Sequence, residues 1–220
     1  MKKAVKLLSL AVALFAGLGN TAQAAGFKIG ADVVSSYVFR GTEFGNSVAI
    51  QPALSYTCPT TGIIVGAWGS YAVSEDAGNR HKEIDLYATL PVGPLSFTVT
   101  DYNSPDGGDS FDFSDDGSNV VELSVGYTKD NLSLLAAINV AGLDTDNAKY
   151  CEAGYKFYDK DGYTAKGVVG LGDEDFYGDG DGDNIALVNT GISVSKDRFT
   201  ASYIYNPDTA KSNLVFMASF

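Results

Sequence analysis

One histidine, His81, two cysteines, Cys58 and Cys151, and one tryptophan are all the chain carries of these residue types in 220 positions. A lone histidine removes most hydrolytic and proton-relay chemistry, which needs an imidazole placed beside a nucleophile or a carboxylate. In a loop it is expected to be solvated surface. Two cysteines make no disulfide framework, and with one histidine they make no zinc cluster. Neither a Gly-x-Ser-x-Gly elbow nor a phosphate-binding Walker loop is present. No catalytic residue, no cofactor and no resident metal are therefore expected. Basic residues are scarce too, 15 Lys and Arg against 27 Asp and Glu, for a net charge of −12. Binding to nucleic acid phosphates needs clustered Lys and Arg, so that class of partner is excluded.

Long apolar runs are also missing. The longest spans residues 7–18, too short for a membrane helix of about 20 residues. It follows Lys2, Lys3 and Lys6 and precedes Ala22-Gln23-Ala24, the order of a secretory leader with its small-residue cleavage site. The expected organisation is a cleaved leader at 1–24 and one domain at 25–220. Cleavage removes three lysines and no acid, which leaves a charge of −15.

The domain itself is rich in period-two segments. Ile29, Ala31, Val33, Tyr37 and Phe39 share one parity, against Lys28, Asp32, Ser36 and Arg40. Ile84, Leu86, Ala88 and Leu90 oppose Glu83, Asp85, Tyr87 and Thr89, and Leu214, Phe216, Ala218 and Phe220 end the chain. Such alternation marks strands with one apolar and one polar face. About twelve strands are expected, with ten to fourteen allowed by the poorly alternating stretches near Ile63 and Ile185.

The connections discriminate further. Short links at 58–61, 91–94, 129–131, 158–162 and 196–198 alternate with mostly longer ones at 41–47, 73–82, 103–118, 141–146, 173–183 and 207–211. Tight turns on one rim and long loops on the other are the habit of a transmembrane β-barrel, not of a Greek-key sandwich. The expected fold is all-β, an antiparallel transmembrane barrel in the outer membrane, in contact with its lipid. The terminal Phe220, on an alternating last strand, is expected to act as an assembly signal read by the barrel-assembly machinery, because an extended end strand can add to another sheet edge.

Three blocks carry a family resemblance. Ser35-Ser36-Tyr37-Val38-Phe39-Arg40-Gly41, Gly66-Ala67-Trp68-Gly69-Ser70 and Glu83-Ile84-Asp85-Leu86-Tyr87-Ala88 resemble the TorF-type porin family of exported bacterial proteins. After Gly41, Thr42-Glu43-Phe44 departs from that pattern. The resemblance implies a barrel and a pore, and no particular substrate.

With the polar parity turned inward, Lys28, Asp32, Arg40, Glu83, Asp85, Glu122, Glu152, Lys156 and Lys166 are expected to line the pore. A wide lumen keeps such groups hydrated and lets them tune selectivity, whereas a narrow one pairs them into a plug. The expected function is a passive channel for small hydrophilic solutes, modestly cation-preferring; the alternative is a closed structural or adhesive barrel with functional outer loops. The outer vestibule is expected to be acidic, through Asp173, Glu174, Asp175, Asp179, Asp181 and Asp183. The Asp-Gly repeat at 179–183 is not a calcium EF-hand loop, since Asn184 stands where glycine belongs and Thr190 where the bidentate glutamate belongs. Cys58, in a short turn, and Cys151, facing lipid near the outer end of a strand, are expected to stay unpaired.

Overall fold

Twelve long strands, each alternating in its side chains, pair edge to edge until the last meets the first. The computed structural model describes residues 26–76, 78–104, 111–114, 117–143, 147–180 and 184–220; the leader expected at 1–24 lies outside them. In chain order the strands are β1 (Gly26–Val34), β2 (Tyr37–Phe39), β3 (Thr42–Phe44), β4 (Ala49–Thr57), β5 (Ile64–Ala72), β6 (Lys82–Val92), β7 (Leu95–Asn103), β8 (Asn119–Lys129), β9 (Leu132–Gly142), β10 (Lys149–Lys160), β11 (Tyr163–Asp173), β12 (Ile185–Lys196), β13 (Phe199–Asn206) and β14 (Lys211–Ser219), with one short helix α1 (Glu174–Tyr177) between β11 and β12. All but β2 and β3 form one closed antiparallel barrel of twelve strands; β2 and β3 pair only with each other.

Turn chemistry sets the short rim. Asp161 and Gly162 both have positive φ, 56° and 79°, the geometry a two-residue hairpin turn requires. Asp130 and Asp197 take the same left-handed conformation in the β8–β9 and β12–β13 turns. The barrel closes where β14 meets β1 through Asp32–Ser219, Val33–Ala218 and Val34–Met217. Phe220 extends this seam: its N–H donates to Ala31 O at 2.9 Å, and its carbonyl accepts from Ala31 N–H at 3.2 Å. Its ring is exposed and lies under the Arg198 guanidinium.

The polarity of the wall is inverted relative to a water-soluble fold. Large apolar side chains such as Ile29, Ile50, Leu54, Leu86, Phe97, Leu123 and Phe216 stand exposed on the outer surface. Gln51, Ser70, Asp85, Thr100, Glu122, Asn139 and Ser202 are buried on the inner one. A soluble barrel places its apolar face on the packed inside; the opposite arrangement is the one a hydrocarbon surround satisfies.

Candidate functional site

The first long connection does not stay outside. The period-two pattern that predicts one strand from Lys28 to Arg40 is interrupted after Val34, and the chain folds back as the β2–β3 hairpin. Ser35 secures the bend: its N–H donates to Phe216 O at 2.8 Å, and its hydroxyl accepts from Phe216 N–H at 2.9 Å. The hairpin then buries its side chains among the inner faces of the wall. Tyr37 and Val38 pack with Val34, Ala49, Trp68, Val215 and Met217, while Phe39 reaches across to a second cluster that includes Leu135, Tyr150, Tyr177 and Val188.

Arg40 is the tip. It is expected on strand one facing the lumen; it stands instead at the hairpin turn with φ of 51°, and the turn itself carries it into the barrel. Its guanidinium donates to Glu122 through Nη1 at 2.6 Å and Nη2 at 3.0 Å, and Nη1 also donates to the Tyr177 hydroxyl at 2.7 Å. The rings of Tyr150, Phe39 and Tyr177 lie 4.4, 4.7 and 5.5 Å from its central carbon. Both partners of the ion pair are almost wholly buried, at 5% and 1% side-chain exposure. A planar guanidinium suits this double engagement, with its edge on a carboxylate and its faces on aromatic rings. Gly41 completes the turn with φ of +88°, and a Cβ there would run into the Val188 carbonyl of β12. The hairpin leaves the wall between β1 and β4 and is held at β8, β10 and β12, so it spans the lumen.

Neighbouring acids are held from the same hairpin. The Tyr37 hydroxyl donates to Glu83 Oε1 at 3.1 Å, and His81 Nε2 lies 3.1 Å from Glu83 Oε2. The His81 ring packs against Tyr37 and Phe44. The expectation of a solvated surface histidine is therefore corrected: the inward fold of the hairpin covers it. Tyr102 donates to Glu122 Oε1 at 3.2 Å. Asp32, Glu83, Asp85 and Glu122 are all buried on the inner face.

The opposite side of the lumen is less filled. Glu152 accepts from the Tyr150 hydroxyl at 2.7 Å and from Asn189 Nδ2 at 3.1 Å. It shares a chamber with Lys166, Ser133, Ser193 and Ser202, roofed by Phe39 and Arg40. Lys28 stands exposed near the start of β1. Lys156, at a bulge near the short-turn rim, donates to Asp159 Oδ2 at 2.6 Å.

Of the expected vestibule residues, Asp173 ends β11 and accepts from Lys149 N–H at 2.6 Å. Glu174 and Asp175 open α1. Asp179 donates its backbone N–H to Asp208 Oδ2 at 2.8 Å. Asp181 and Asp183 lie outside the described residues. Sequence reasoning missed Tyr102, Tyr150 and Asn189, which hydrogen-bond to the charged groups or stack on them, and Tyr177, buried in the hairpin contact, whose only signal is two adjacent aromatics, Phe176 and Tyr177, inside an acidic loop. Both cysteines are free, Cys151 outward on β10 and Cys58 in the β4–β5 turn.

No curated protein matches the chain. Among solved structures it is similar to mutant forms of a porin from Rh. blastica. One covers 88% of this chain and 100% of its own at 9% identity and a TM-score of 0.41. Another covers 89% and 99% at 9% identity and a TM-score of 0.39. A family model described as "Bacterial protein of unknown function (Gcw_chp)" matches residues 20–214, and the chain belongs to that family.

Proposed function

We propose that this chain is an outer-membrane channel for small hydrophilic solutes whose width is set by the inward hairpin. The observation that carries the reading is the inverted wall of the twelve-strand barrel, with large apolar side chains exposed outside and most of the buried polar and charged groups inside. An apolar belt of this kind is stable against lipid, and a polar lumen serves water and solutes. The TorF-type resemblance of the first, second and third blocks fits the same reading. The acids Asp32, Glu83, Asp85 and Glu122, with the acidic outer loops, favour cations or net-neutral solutes over anions. Phe220 serves assembly, since it completes the closing seam. The reading assigns no catalysis.

A second reading has its own observation. The Arg40–Glu122 pair ties the hairpin to the far wall, which suits a closed barrel acting through its outer loops. Planar-bilayer recordings of the refolded protein separate the two. Discrete steps from the wild type support the channel. Silence from the wild type, with steps only after residues 36–45 are replaced by a short Gly-Ser link, supports the closed barrel. Silence from both would end the channel reading.

A further inference from the structure

The chamber beneath the hairpin has a feature the channel reading does not use. Lys166 of β11 and Glu152 of β10 both face it, yet among the described residues Lys166 makes no ion pair and no hydrogen bond. The space for its side chain comes from Gly154: a Cβ there would run into Lys166 Cε and Ser133 Oγ. Lys166 thus lies across the neighbouring strand, within the electrostatic reach of Glu152 but not in ion-pair or hydrogen-bond contact with it. Glu152 is fixed by Tyr150 and Asn189 through one oxygen, Oε2. The chamber therefore holds one cation and one anion in a fixed relation but not joined.

The rest of the lining is of two kinds. Ser133, Ser193 and Ser202 supply hydroxyls, while Leu135, Val168, Ile204 and Phe39 supply apolar surface. The chamber's free volume is about 90 Å³, room for a compact ligand and not for a drug-sized one. A half-buried ammonium without an acceptor gains most from a ligand carboxylate, and a half-satisfied carboxylate from a ligand ammonium.

We propose that this chamber is a binding subsite for a zwitterion of amino-acid size with an apolar or aromatic body. Its carboxylate meets Lys166 and the serine hydroxyls, its ammonium meets Glu152, and its body lies along Leu135, Val168 and Ile204 beneath the Phe39 ring. Net neutrality lets such a solute pass the acidic groups elsewhere in the lumen, and opposed charges in the chamber discriminate against a singly charged analogue of the same shape. The inference deepens the channel reading, and its test is independent of conduction.

The test is calorimetric titration of the folded barrel in detergent, its folding checked by heat-modifiable migration. The probes are L-phenylalanine, 3-phenylpropionate, which lacks the ammonium, and phenethylamine, which lacks the carboxylate. Saturable binding of phenylalanine is expected, at least tenfold tighter than either analogue. Lys166→Gln and Glu152→Gln each weaken it tenfold or more and level the three probes, and Gly154→Ala weakens it by unseating Lys166. Absence of saturable phenylalanine binding, equal binding of the three probes, or unchanged binding to folded Lys166→Gln would overturn the proposal. Binding without bilayer steps would retire the channel and keep the subsite; steps without binding would do the reverse.

Discussion

The two sides of the lumen are built from the same alternating strands and filled in opposite ways. Toward β5–β8 the hairpin meets Trp68, Tyr102, His81 and Glu122 at ring-contact and hydrogen-bond distance. Toward the lower parts of β9–β13 it faces Ser133, Gly154, Ser193 and Ser202, and a chamber remains. Strand number fixes the diameter of a barrel. Here the free width is decided by the side chains that stand opposite one inward hairpin.

Removing the far anchor strikes this contrast hardest. Glu122→Ala leaves the Arg40 charge buried without its carboxylate, and losing one partner of such a pair costs about 3–5 kcal/mol. The midpoint of urea unfolding in detergent should fall accordingly, and bilayer steps should become larger and noisier. Arg40→Met combined with Glu122→Leu should recover much of the stability, because no orphan charge is left. A double variant as unstable as Glu122→Ala would show that the pair matters for something other than charge compensation.

Gly41→Ala comes next. A side chain at positive φ, pressed on the Val188 carbonyl, costs about 1–3 kcal/mol. The loss should appear in the hairpin first, as faster amide exchange at 37–44, with the barrel strands unchanged. Uniform loosening of the wall would place the strain elsewhere.

The cysteines give a smaller effect outside the lumen. Hydrogen bonds from Thr61, side chain first and backbone second, hold the Cys58 thiol below its ordinary range. Its reaction with a water-borne disulfide reagent should therefore rise at lower pH than that of a free cysteine, and Thr61→Ala should move the rise upward. Cys151, on the outer apolar face, should stay unreactive in a bilayer and react after extraction. The smallest effect belongs to the outer loops: Glu174→Gln with Asp175→Asn should weaken cation preference at low salt only, since a field in water is screened within about 10 Å at 0.1 M.

Most of the barrel was legible because one alternation, an apolar outer face against a largely polar inner one, recurs along its strands. Ile84 to Leu90 against Glu83 to Thr89 state it plainly, and the Asp161-Gly162 turn fixes its neighbours' register. The hairpin was not legible for a related reason. Tyr37 and Phe39 continue the parity of Ile29 and Val33, and a hairpin is as extended as the strand it interrupts, so alternation carries no mark of the bend at Ser35. Arg40 was recognised as a lumen group, but its partner could not be, since Glu122 is 82 residues away and belongs to the opposite wall. Lys166 and Glu152 were likewise assigned to the lumen without the chamber between them, because the space depends on Gly154 having no side chain. The short helix α1 went unseen, as four residues give too little periodicity to read.

Limited trypsin digestion tests the inward hairpin most directly. Arg40 is the only Lys or Arg between Lys28 and Arg80, so cleavage after it yields a fragment found in no other digest. In an outer loop it would be a favoured site, since exposed loop tips are where proteases act. The account predicts that the folded barrel is not cut after Arg40, that heat-denatured protein is, and that folded Glu122→Ala is cut at an intermediate rate. Rapid cleavage after Arg40 in the folded wild type, on a par with any outer-loop site, would contradict it.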